Sequence, residues 1–326
     1  MMRAVLAILL LMLGCNAAQA QSYSVDTITD ANFGDIVSAA SGQSVFRSNA
    51  SSGSVTLQSG SAVRLSSTSA NAVVTISCSN TIACNATNVQ VQLSLAGTPT
   101  GRLSYITTIN LANGSATINS AYSAGSYIVI NLAPIPRSSA RTFLIGFDLT
   151  VDGNDSADPT GNAVTSYLIT AQRQFGGGSD SLIGNILAKV IRPVNIAKTQ
   201  NLQFGSVTRP SSGSGSLTLT PGGVASVTGS NVRRFPSPAA TPAQFTVSGE
   251  GGQAVTVSVP TTMTLSGSSG SVTATLSATG NGAQVLSGST GSAGTVQVNV
   301  GGTVPLTGSS ALGTLTGTLT VTVQYN

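Results

Sequence analysis

The chain has 326 residues with 37 glycines, no histidine and no tryptophan; 7% of its residues are charged, and the net charge is +4. Without histidine the commonest general base and metal ligand is missing, so Ser-His-Asp and Cys-His catalysis and the usual zinc sites are excluded, and three cysteines cannot build a four-thiolate site. A hydrophobic content of 40% still supplies apolar surface for a core, which separates the chain from disordered sequences.

Arg3 precedes an apolar run from Ala4 to Leu13, and Ala18-Gln19-Ala20 follows as a small-residue cleavage pattern. This layout predicts a signal peptide over residues 1–20, and hence export to the periplasm, cell surface or medium. Leu13-Gly14-Cys15 resembles the end of a lipoprotein signal, but Met12 fits that pattern poorly, and the ordinary signal with Cys15 discarded is preferred. No later segment approaches about 20 continuous apolar residues, so no transmembrane span is expected in the mature chain. Removing Arg3 leaves 12 basic against 9 acidic residues, a dispersed excess that predicts no nucleic-acid binding.

In an oxidising compartment Cys78 and Cys84 remain as an even pair, and a structural disulfide across the turn between two strands is expected. Strict two-residue alternation dominates from residue 22 onward. Phe143, Ile145, Phe147, Leu149 and Val151 share one face, as do Val255, Val257 and Val259, and Val296, Val298 and Val300. Gly/Ser clusters such as 50–54, 211–215 and 266–270 punctuate these runs, which together predict an all-β chain of sandwich type.

Calcium loops have a weak counterpart in Asp152-Gly153-Asn154-Asp155-Ser156-Ala157-Asp158, where oxygen ligands alternate. Ala157 stands where such a loop needs glycine and Ala163 where it needs glutamate, so a solvated turn is the better reading. No metal and no cofactor is expected.

Asn32-Phe33-Gly34-Asp35-Ile36-Val37 recurs as Gln203-Phe204-Gly205-Ser206-Val207-Thr208, a spacing of 171 residues (204 − 33). The following runs 53–57 and 215–219 also correspond, and 146–151 corresponds loosely to 317–322. A duplication of this period is domain-sized. It predicts an N-terminal domain over 21–176, a linker over 177–189 beginning at Gly176-Gly177-Gly178, and a C-terminal domain over 190–326. Within 182–191 the apolar spacing suits either a short helix or an irregular strand, ended by Pro193.

The run Ile196-Ala197-Lys198-Thr199-Gln200-Asn201-Leu202-Gln203-Phe204-Gly205, then Pro242-Ala243-Gln244-Phe245-Thr246-Val247, Val300-Gly301-Gly302-Thr303 and the ending 317–326, resembles the bacterial domain-of-unknown-function family 4402 over residues 194–326. The first half is similar to a divergent copy that adds the cysteine pair. The resemblance implies an exported bacterial protein of two tandem immunoglobulin-like or pilin-like β-sandwiches and supplies no catalytic residues.

Along the final run Gly313, Leu315, Gly317, Leu319, Val321, Val323 and Tyr325 fall on one face, with polar residues between them. This tail resembles the C-terminal strand of chaperone-usher pilus subunits, which implies a periplasmic chaperone or like subunits as partners through strand addition. An ordinary terminal strand within its own sandwich explains the same alternation. Only residues 21–32 precede the first Phe-Gly element, short for a segment that donates to a neighbour. The function expected is therefore a non-enzymatic structural or adhesive surface protein, a fimbria-like subunit or tip adhesin. The alternative is a soluble periplasmic or surface module that binds glycan or protein through its loops.

Overall fold

The computed structural model describes residues 23–79, 83–153, 159–175 and 177–326. The expected signal peptide with Cys15, and Asn154–Asp158 of the acidic turn, lie outside the described residues. The chain divides into two compact units. Unit 1 holds the described residues up to 153 and Asn162–Val190; unit 2 holds residues 159–161 and Ile191–Asn326.

Unit 1 contains strands β1 (Tyr23–Ile28), β2 (Ala31–Val37), β3 (Gln43–Ser48), β4 (Val55–Ser59), β5 (Val63–Arg64) and β6 (Ala72–Cys78), then a four-residue helix, α1 (Ala83–Ala86). It continues with β7 (Val89–Ala96), β8 (Ile109–Asn113), β9 (Ile118–Ala124), β10 (Tyr127–Leu132), β11 (Ala140–Asp152), β12 (Gly161–Arg173) and β13 (Asp180–Ile191). One sheet runs β1-β6-β11-β3-β4 with β8 also on β11, and the other runs β5-β2-β13-β12-β7-β10-β9. The two sheets close over one core, as two half-apolar sheets must.

The alternation read from sequence is the packing pattern. In β6 every second residue from Ala72 to Cys78 is buried, and Phe143, Ile145, Phe147, Leu149 and Val151 all point into the core. The edge of β11 is also paired near its end by the β7–β8 connection, where the Ser104 amide donates to the Thr150 carbonyl and the Asp148 amide to the Thr108 carbonyl. Asp148 is buried there against Arg47, whose Nε and Nη2 each donate to its carboxylate at 2.7 Å. This paired carboxylate holds the Arg47 guanidinium above its ordinary pKa.

Residues 180–191 correct the linker expected over 177–189. They form β13, and Gly184, Ile186, Ala188 and Val190 are buried at alternate positions between β2 and β12. The apolar spacing left open between helix and strand is decided by these sheet neighbours, since a two-residue period buries one face and a helix here would leave the facing edges of β2 and β12 without a partner.

Unit 2 contains β14 (Asn195–Gln200), β15 (Ser214–Leu219), β16 (Ala225–Thr228), β17 (Ala243–Glu250), β18 (Ala254–Ser258), β19 (Thr262–Gly267), β20 (Gly270–Thr279), β21 (Gly282–Val285), β22 (Ala293–Thr307) and β23 (Thr322–Tyr325). One sheet runs β14-β17-β22-β15-β16, with β20 on β22 and β19 on β20; the other runs β21-β18-β23. Phe245 and Val247 from the first sheet meet Val255 and Val257 from the second across the core. Both units are thus β-sandwiches, the all-β class that the sequence predicts.

The two Phe-Gly elements share a backbone feature, for Gly34 (φ 69°) and Gly205 (φ 82°) both occupy the left-handed region that favours glycine. Their surroundings differ. Phe33 is fully buried in β2, while Phe204 is half-buried and lies in a segment outside the regular ladders. The runs 53–57 and 215–219 also sit differently, since β4 is an edge strand and β15 is flanked by β22 and β16.

Candidate functional site

The disulfide pair comes first along the chain. Cys78 and Cys84 are bonded, with Cα atoms 6.2 Å apart, at the end of β6. Both are buried, and the Tyr23 hydroxyl donates to the carbonyls of Cys84 at 3.2 Å and Thr87 at 3.0 Å. Burial raises the Tyr23 pKa, partly offset by its bond to Thr87. The pair is a structural clasp on the β6–β7 connection.

Several of the described carboxylates, the residues on which a histidine-free mechanism would have to rely, take part in structural bonds. Asp26 accepts from Ser77, Asp30 from the amide of Asn185, Asp180 from the amide of Val25, and Asp152 from Gln43. Among the described residues no three His, Cys, Asp or Glu side chains group as metal ligands. No helix among them is long and apolar enough to cross a membrane.

The tail expected to form one strand from Gly313 to Tyr325 is divided. Regular pairing is confined to β23, which lies antiparallel on β18 with Tyr325 opposite Val255 and Val323 opposite Val257. Upstream, Thr316 makes an isolated bridge to Ser266, exchanging both amide bonds at 2.8 and 2.9 Å. The alternation survives the break: Leu315, Leu319, Val321, Val323 and Tyr325 are half-buried, the residues between them are exposed, and Gly313 and Gly317 are exposed. Leu319, Val321, Val323 and Tyr325 pack on the unit 2 core.

Between this tail and the segment that follows β14 lies a groove of about 910 Å³. One rail is residues 200–207, the other residues 310–319, and the floor includes Leu217, Phe245, Met263 and Leu265. The floor is the core of the unit itself. Phe245 and Met263 each keep 8% exposure, whereas Phe143 and Phe147 of unit 1 keep none.

Backbone polarity gives the groove its chemistry. In an antiparallel pair that exchanges both amide bonds, the flanking residues turn their N–H and C=O to the opposite side. Gln203 and Thr241 exchange such bonds at 2.8 and 2.7 Å, so Leu202 and Phe204 direct theirs away from Thr241. Thr316 and Ser266 do the same, so Leu315 and Gly317 direct theirs away from β19. Among the described residues both rails therefore offer strand edges without a ladder partner above an apolar floor, an arrangement suited to an added strand.

Sequence reasoning singled out the tail rail but missed the opposite one. Leu202 and Phe204 were visible only as part of a repeated motif, and Phe245 and Met263 only as strand residues.

A polar cluster fixes the end of the tail. Glu250 is fully buried; its Oε2 accepts from the Arg192 amide at 3.1 Å and from Arg192 Nη1 at 3.0 Å, and its Oε1 accepts from Thr160 Oγ1 at 2.9 Å and from the Gly291 amide. The Tyr325 hydroxyl completes the cluster by bonding the backbone of both Glu250 and Arg192.

No curated protein matches the chain in sequence. Among solved structures, the chain is similar to the chaperone–tip adhesion subunit pre-assembly complex CsuC–CsuE from archaic chaperone-usher Csu pili of Acinetobacter baumannii, at 11% identity and TM-score 0.29, covering 93% of this chain and 100% of that chain. It is also similar to a chaperone–tip adhesin complex of CFA/I fimbriae biogenesis, at 10% identity and TM-score 0.25, covering 93% of this chain and 98% of that chain. Residues 194–325, nearly all of unit 2, match the family described as Domain of unknown function (DUF4402).

Proposed function

We propose that this protein is an exported, non-enzymatic surface subunit of fimbria-like type, and that its unit 2 accepts a strand from a partner, a periplasmic chaperone or a like subunit. The observation that carries this reading is the groove between Phe204 and the tail. In unit 1 the Phe-Gly strand β2 has β13 beside it and β12 beyond, and Phe33 is sealed. In unit 2 the Phe-Gly rail and the tail flank an open groove, and Phe204 is only half-buried. An added strand would pair with both rails and cover the residual exposure of Phe245 and Met263.

In this reading Leu315 and Leu319, with Gly313 and Gly317, lie on the rail that receives the strand, while Val321, Val323 and Tyr325 anchor the same tail on the unit 2 core. The β1 strand is committed to its own sheet, opposite β6, with Tyr23 and Val25 buried. It is therefore not the segment that is passed to a neighbour. This favours the tip-adhesin form of the function, in which unit 1 makes the contact with the target surface.

The test uses a peptide copying β13, Asp180 to Ile191, added to the full chain during refolding. The expected result is a bound peptide and a raised melting temperature for unit 2, with no effect from a scrambled peptide. A chain that refolds to the same stability with no bound peptide would overturn the reading.

A second reading, a loop-borne binding module for glycan, is favoured by one feature of unit 1. A shallow pocket of about 260 Å³ is lined by Leu93, Leu95, Tyr127 and Ile128 together with the hydroxyl-bearing residues Thr107 and Ser123. An apolar and aromatic wall beside hydroxyls suits a sugar ring. Glycan binding lost in Tyr127→Ala with strand uptake intact would support it.

A further inference from the structure

We infer that the strand which occupies the unit 2 groove carries carboxylates at its ends, where it passes Lys198 and Arg209. This rests on the strand-acceptor reading above and adds the charge of the partner to it.

The charge inventory is one-sided. Residues 191–326 contain five cations, Arg192, Lys198, Arg209, Arg233 and Arg234, and a single acidic side chain, Glu250. Glu250 is fully buried and paired with Arg192. Among the described residues of unit 2, the surface therefore presents cationic side chains and no carboxylate side chain.

Two of these cations line the groove, and they stand at its opposite ends. Lys198 is on β14, opposite Phe245, and Arg209 adjoins Pro210, which approaches Gly308 at the start of the tail rail. Both are exposed. The rail between them spans 11 positions (209 − 198), so an extended strand of about ten residues reaches both.

The floor and the ends then impose different demands on the occupant. Over Leu217, Phe245, Met263 and Leu265 a charged side chain would be desolvated without a partner, so the middle of the strand must be apolar at alternate positions. At the ends the side chains remain in water, where a carboxylate meets a cation with no exposed acidic side chain among the described residues of the unit competing for it. Each exposed pair adds at most a few-fold to affinity, but the one-sided field attracts an acidic strand at distance and repels a basic one. Repulsion of the wrong strand is a source of specificity that an apolar groove alone lacks.

The test measures binding of three synthetic peptides to the full chain by fluorescence anisotropy, at low salt and at about 1 M NaCl, where the screening length falls to about 3 Å. The peptides share one alternating Val/Thr core and differ only in flanks of Asp, Asn or Lys. The expected order is Asp above Asn above Lys, with steps on the order of fivefold at low salt that disappear at high salt. The double variant Lys198→Glu, Arg209→Glu, with both changes on exposed side chains, should invert the order. Equal affinities for the three peptides at low salt would overturn the charge inference and leave the groove standing. No binding of any peptide, the Asn-flanked one included, would overturn the strand-acceptor reading itself.

Discussion

The Tyr325 hydroxyl accepts a hydrogen bond from the Glu250 amide at 2.8 Å, and the same hydroxyl donates to the Arg192 carbonyl at 2.8 Å. The last aromatic residue of the tail is thereby tied to the buried ion pair at the start of unit 2. Tyr325→Phe keeps the ring and removes both bonds, leaving two backbone groups to find other partners. A loss of about 1–3 kcal/mol is expected in urea unfolding of unit 2. Glu250→Ala should cost more, about 3 kcal/mol or above, because it leaves the largely buried Arg192 guanidinium without its carboxylate. If Tyr325→Phe unfolds at the wild-type urea midpoint, the hydroxyl is not a tether.

Removal of the disulfide gives the second prediction. Closing a short loop should stabilise unit 1 by about 2 kcal/mol on the chain-entropy estimate. The double variant Cys78→Ser, Cys84→Ser should show that loss, and it should also loosen Tyr23, whose hydroxyl bonds the Cys84 carbonyl. Faster amide exchange in β1 than in β11 would register this. Uniform exchange across unit 1 would place the effect in global stability alone.

Much of this architecture was legible in the sequence because a two-residue period needs no tertiary information. The apolar faces of β11, β18 and β22 follow from counting alternate residues, and the cysteine pair follows from compartment. What could not be read was which strand lies next to which. The run 182–191 has helical and strand spacing at once, and only its place between β2 and β12 decides the matter. The groove was hidden for the same reason, since it consists of edges left without a neighbour and local sequence does not report a missing neighbour. Glu250 is the single acid among residues 191–326, and its bonds to Thr160 and Arg192, 90 and 58 residues away, have no local signature.

Tyr167 supplies a prediction in alkaline solution. Its ring packs on Phe147 with centroids 5.0 Å apart, and its hydroxyl is buried with no hydrogen-bond partner among the described residues. Burial raises its pKa above the ordinary 10.0, with the charge of Asp30 acting in the same direction. Because the folded state holds the proton more tightly, this group leaves stability unchanged below about pH 10 and removes it as the pH rises further, where the unfolded chain ionises first. Tyr167→Phe should therefore flatten the loss of stability above about pH 10. At neutral pH it should be neutral or stabilise by about 1 kcal/mol, since it removes an unsatisfied buried group. An unaltered alkaline limb in Tyr167→Phe would show that other tyrosines govern it.

Gly313 and Gly317 separate two ways in which a glycine can matter on the tail rail. Gly313 has φ 89° and open space where a methyl group would project, so Gly313→Ala meets no neighbouring atom and costs only about 1 kcal/mol through its backbone. Gly317 has no such backbone requirement, but a Cβ there would overlap the Thr264 carbonyl and crowd Leu265 and Met263. Gly317→Ala must therefore lift the tail from β19, and the Thr316–Ser266 bridge is the first contact to open. Amide exchange should accelerate at Thr316 and Ser266 in Gly317→Ala, while Gly313→Ala keeps them protected, and both variants should keep β23 paired with β18. A strand seated in the groove would then bind Gly317→Ala more weakly than Gly313→Ala, because the displaced rail no longer presents the Leu315 and Gly317 backbone groups in register. Equal exchange at Thr316 in the two variants would show that the rail is held by side-chain packing of Leu319 and Val321 instead of by the close approach at Gly317.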